Sequence, residues 1–138
     1  MASLHHFRRG AGNAIAVAAL TALVAALPTN QACAQSTDDP VMRANRGAYE
    51  AAIKCFIANG HASGLRERAG DPEKAKYYDA KAHLSFDTAT KLGAALQLSG
   101  SQIDEDFGTA QARELPTMVT DQKYFGVIVA NCKALGLM

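Results

Sequence analysis

The sequence predicts an all-α fold, a small bundle of about four helices stapled by one disulfide. Three observations carry that prediction. Asp39-Pro40 and Asp71-Pro72 each supply a helix cap followed by the residue best tolerated in a first turn. Apolar residues then recur at spacings of three and four. Two cysteines, Cys55 and Cys132, fall on the apolar faces of the first and last of these segments. Val127-Ile128-Val129 is the only β-branched run, and it lies inside a helical pattern.

The 138 residues bound the chain at one ordinary domain, and 49% hydrophobic with 20% charged residues is a globular composition. Fourteen basic against 13 acidic side chains give a formal net charge of +1. That balance argues against general nucleic-acid binding, which needs a basic surface to displace phosphate counterions.

Residues 1–34 read as a cleaved secretory signal peptide. Arg8 and Arg9 precede an uncharged apolar run from Ala14 to Leu27, and Pro28 breaks it. Ala32 and Ala34 flank Cys33 in an A-x-A pattern that places the cut after Ala34. As a helix the run would measure about 21 Å, short of the ~30 Å hydrocarbon core a retained anchor must cross. A twin-arginine signal would carry apolar residues where Gly10-Ala11-Gly12 stands, and a lipidated Cys33 would want one at Asn30, so ordinary export is expected. Residues 35–138 then form a single α-helical domain, periplasmic or extracellular, with no membrane span. Losing Arg8 and Arg9 leaves that domain slightly acidic.

Cys33 departs with the signal, so Cys55 and Cys132 have one pairing available, 77 positions apart. Chain-entropy reasoning gives such a loop about 4 kcal/mol of stabilisation. That approaches the ~5 kcal/mol total of a marginal domain. A redox pair would stand as C-x-x-C, which is not found.

The first helix starts at Pro40. Its stripe is Val41, Ala48, Tyr49, Ala52, Cys55, Phe56 and Asn59, with Arg43, Arg46, Glu50 and Lys54 opposite. It is expected to run through Gly60 and Gly64 to Ala69, where Gly70 ends it; a stop at Asn59-Gly60 is the alternative. Ile57 lies outside the stripe and marks the edge of an exposed apolar patch. The second helix runs from Pro72 to about Leu98 on a seam of Ala75, Tyr78, Ala82, Ser85, Ala89, Leu92 and Leu96, widened by Phe86. Ser101 and Asp104 suggest a capping box for the third helix, which buries Ile103, Phe107 and Ala110. Glu114 falls on that same line, so it is expected at a fraying end or paired with Arg113 or another base. Pro116 is expected to interrupt or kink the helix after Leu115. Thr120 or Asp121 caps the last helix, whose buried face is Tyr124, Phe125, Ile128, Val129, Cys132 and Leu135, ended by Gly136.

Asp79, His83 and Asp87, spaced by four, share one line of the second helix and could ligate zinc or a similar ion. No second His or Cys pattern completes a tetrahedral set, so the line reads as a solvated stripe. Asp104-Glu105-Asp106 fails as a calcium loop, because Thr109 and Leu115 stand where a glycine and a glutamate are required. His61 follows Cys55 closely, but a disulfide-bonded cysteine offers no thiolate. Neither a G-x-S-x-G elbow, a phosphate-cradling glycine loop nor a C-x-x-C-H haem motif occurs. No catalytic, cofactor-binding or metal residue is therefore assigned, and no cofactor is expected. The expected function is a non-enzymatic interaction module of the cell envelope with a protein partner. The alternative is an enzyme or metal-ion carrier using His83 with Asp79 and Asp87, or His61, which would set one of those histidines in a concave pocket. The partner's identity and the oligomeric state stay open.

Overall fold

Asp39 accepts a hydrogen bond from the Val41 N–H at 2.8 Å, and Pro40 follows it, so the first helix begins as the sequence predicts. The computed structural model describes residues 39–138. The expected signal peptide at 1–34, its expected cleavage site and the polar stretch 35–38 lie outside the described residues. Four helices follow: α1 (Pro40–Arg68), α2 (Pro72–Ala95), α3 (Gly100–Thr120) and α4 (Gln122–Ala134), with no strand among the described residues. The fold is an all-α bundle, and the Cys55–Cys132 disulfide staples α1 to α4 with their Cα atoms 5.5 Å apart. No helix among the described residues is long and apolar enough to cross a membrane.

The helix α1 is the hub. It pairs antiparallel with α2, as the contacts Ser63 to Ala75 and Asn59 to Ser85 show. On its other flank it meets α3 through Tyr49 and Asp106, and α4 through the disulfide and through His61 against Phe125. Enclosure from several sides explains a correction. Ile57, expected at the edge of an exposed patch, is 4% exposed, because a hub helix buries more than one stripe. Beyond the enclosed middle, Val41 and Ala48 are exposed, contrary to their place on the apolar stripe.

Three helices end in the same Schellman turn. Asp71 N–H reaches Arg66 O past Gly70, Leu98 N–H reaches Gly93 O past Gln97, and Leu137 N–H reaches Cys132 O past Gly136. Gly70 and Gly136 supply the positive φ that the turn requires, and Gln97 adopts φ 61° in their place. The turn ends α2 at Ala95, three residues before the expected Leu98. It also replaces one expected core residue with two others: Leu135 is exposed, while Leu137 and Met138 fold back and are buried.

The cap of the third helix stands two residues earlier than expected. Ser99, not Ser101, caps it: the Ser99 hydroxyl accepts from Gln102 N–H, and the Gln102 side chain accepts from Ser99 N–H at 2.9 Å. Pro116 does not end the helix, which continues to Thr120. Pro116 stands on the exposed side, where water serves the carbonyl it leaves unbonded, and Met118 beyond it is 2% exposed. Asp121 closes α3 and caps α4, accepting from Tyr124 N–H at 2.9 Å. Phe86, on the rim of the α2 seam, tilts onto Phe107 with centroids 5.0 Å apart, and Phe56 packs on both rings.

Candidate functional site

Two polar clusters and a groove lie along the hub helix. In the first cluster Glu114, on the apolar line of α3, is buried rather than fraying. Its Oε1 accepts from Arg113 Nε at 3.0 Å and Nη2 at 2.9 Å, and Lys54 Nζ of α1 lies 3.7 Å away. The Tyr124 hydroxyl of α4 donates to the other oxygen. Burial works against ionisation of Glu114. The Tyr124 hydroxyl and the charges of Arg113 and Lys54 outweigh it and hold the carboxyl below its ordinary range. The same hydrogen bond, with burial, raises Tyr124. One carboxylate thus ties three helices together. In the second cluster the buried Tyr49 donates to Asp106 at 2.9 Å, and burial, then Asp106, push its phenol up to about 12. Both clusters satisfy their own members, which is the arrangement of structural ties.

The line of Asp79, His83 and Asp87 lies on the exposed side of α2. His83 Nε2 is 3.6 Å from Asp79, both side chains largely in water, and Asp87 joins no ion pair among the described residues. Among the described residues no group of three His, Cys, Asp or Glu side chains is placed to hold a metal ion.

His61 stands differently. It is half-buried beside a groove of about 330 Å³ lined by Phe56, Ile57, Gly60, Gly64, Gln111 and Leu115, with Arg68 at one end. The groove exists because two positions of α1 that face it, Gly60 and Gly64, carry no side chain, and because α3 contributes Gln111 and Leu115 along its opposite wall. Arg68 folds back along α1: its Nη1 would lie 3.4 Å from a Cβ at Gly64. Among the described residues Arg68 forms no ion pair, and no carboxylate lines the groove. His61 packs edge-on against Phe125 with centroids 5.0 Å apart. Burial, then the nearby Arg68 charge, holds its imidazole below the ordinary histidine value, so it is neutral at pH 7. It can then donate from one ring nitrogen and accept at the other. This is the concave setting that the enzyme or ion-carrier alternative expects of a histidine, and the groove lining brings it no carboxylate, thiol or hydroxyl side chain.

The sequence singled out His61 but not the groove. The signal was present in Gly60 and Gly64, which flank His61 on the face one turn apart. What it lacked was the register of α3, which brings Gln111 and Leu115 alongside.

No protein-family model, curated protein or solved structure matches this chain.

Proposed function

We propose that this chain is an exported, non-enzymatic interaction module of the cell envelope, working in the periplasm or outside the cell by binding a protein or another envelope component. The observation that carries this reading is the buried Cys55–Cys132 disulfide. Such a bond persists where the surroundings are oxidising, which agrees with the signal-peptide pattern of residues 1–34. It also locks the first helix to the last, so the groove beside His61 is presented on a rigid scaffold, and binding to a preorganised surface loses less ordering entropy.

Two measurements test the reading. Mass spectrometry of the protein recovered from the envelope or medium is expected to show Gln35 as the first residue; a retained Met1 or a lipidated Cys33 overturns it. Chemical cross-linking in the native envelope is expected to give a discrete complex of defined mass. Recovery of the free chain alone removes the interaction role.

A further inference from the structure

We infer that the groove between α1 and α3 receives the carboxyl-terminal residue of a partner polypeptide, an apolar side chain lying on Phe56, Ile57 and Leu115 with its terminal carboxylate at Arg68. This rests on the interaction-module reading and names the chemistry of its partner.

Charge complementarity selects the carboxylate. The groove has one formal cation, the guanidinium of Arg68, and no acidic side chain in its lining. That guanidinium is drawn over Gly64 toward the groove instead of pairing with a carboxylate elsewhere among the described residues. Arginine presents a planar fork of donors that matches a carboxylate in a two-point contact. The floor selects an apolar group: Ile57 is buried, and Phe56 and Leu115 are half-buried beside it. The polar groups of the lining select a peptide over a plain hydrocarbon acid. Gln111 and neutral His61 each offer a donor and an acceptor along the wall, and a peptide backbone has both to pair with, whereas an alkyl chain has neither. A volume of about 330 Å³ is of the size of one or two residues, not of a long segment.

The structure also supplies a way to close the groove without harming the fold. A Cβ at Gly60 would meet nothing within 4 Å, and the position is helical, so Gly60→Leu should raise helix propensity while its side chain fills the space a ligand would take.

The experiment is fluorescence anisotropy with the purified protein, disulfide intact. The probes are labelled pentapeptides ending in leucine or phenylalanine, with a free carboxylate or a carboxamide, and octanoate serves as competitor. Free-acid peptides are expected to bind, and amidation or Arg68→Gln to weaken binding about tenfold or more. Gly60→Leu is expected to abolish binding with an unfolding midpoint equal to or above that of the unaltered chain. Absence of peptide binding, indifference to amidation, or full binding by Gly60→Leu overturns the assignment. So does octanoate binding through Arg68 in the absence of peptide binding. If the envelope cross-link persists in Gly60→Leu, the partner docks elsewhere and only the groove assignment falls; if no complex forms with either chain, the interaction-module reading falls with it.

Discussion

On the α2 side, α1 meets small residues: Ala75, Ala82, Ser85, Ala89 and Gly93 are all buried along α2. On the α3–α4 side it meets large and polar groups, with the disulfide, the Glu114 cluster and the Tyr49–Asp106 bond crossing between helices. Small residues let two helix backbones approach closely, but each removes little apolar area from water. Their contribution depends on fit, since a close-packed contact has no slack. The opposite flank has more volume to fill and is fastened at discrete points. One flank should therefore be sensitive to added atoms, and the other to removed bonds.

The largest expected effect lies on the fastened flank. Reducing the disulfide, or replacing Cys132 by Ser, should cost about 4 kcal/mol and lower the thermal midpoint on the order of 20 °C. Circular dichroism melts with and without reductant measure it, and a change of a few degrees would mean that packing alone holds α4.

Next, Glu114→Gln should cost about 2 kcal/mol at pH 7, because Arg113, Lys54 and Tyr124 lose their ionised partner. The carboxyl is lowered in the folded state, so its contribution is present above the unfolded carboxyl value of about 4.3 and is lost as pH falls through the lower folded value. Urea midpoints across that range should fall on acidification in the unaltered chain and vary less with pH in the variant. Parallel curves would remove Glu114 as the source.

Two glycines then compare a close-packed position of α2 with an open position of α4. A Cβ at Gly93 would stand 2.8 Å from Ile103 Cδ1 and 3.2 Å from Tyr49 Cε2. Gly93→Ala should therefore destabilise by about 1 kcal/mol despite its better helix propensity. Gly126, inside α4, has nothing within 4 Å of such an atom. Gly126→Ala should stabilise by about 0.5–1 kcal/mol. Equal signs for the two in denaturant titrations would mean that the contact around Gly93 has slack after all.

Much of this arrangement is legible in the sequence wherever local chemistry decides. The Asp39-Pro40 and Asp71-Pro72 starts, the glycines at 70 and 136, the continuation of α1 past Gly60 and the small-residue seam of α2 all follow from caps and periodicity. The cysteine pair was legible from number and spacing. What depends on neighbours in space was not. Ser99 and Ser101 are equally good caps in isolation, and Gln102 decides between them by reaching back to Ser99. Glu114 reads as misplaced on an apolar face until Lys54 and Tyr124, from two other helices, arrive beside it. Ile57 and the groove both depend on where α3 settles against α1. Pro116 reads as a breaker by local rule alone, but a proline on a solvated face leaves its unmade bond to water and α3 continues to Thr120.

Asn59, wholly buried in α1, sends its amide nitrogen to Leu137 O at 2.8 Å as well as to Cys55 O at 2.9 Å. Lys81 of α2 adds a contact to Gly136 O at 3.2 Å. Two residues that belong to no helix are thereby sewn between the first two helices, near the sulfurs. The peptide N–H of Leu137, bonded to Cys132 O at 2.9 Å, should consequently trade its proton for deuterium as slowly as the middle of α1, rather than at the pace of a frayed tail.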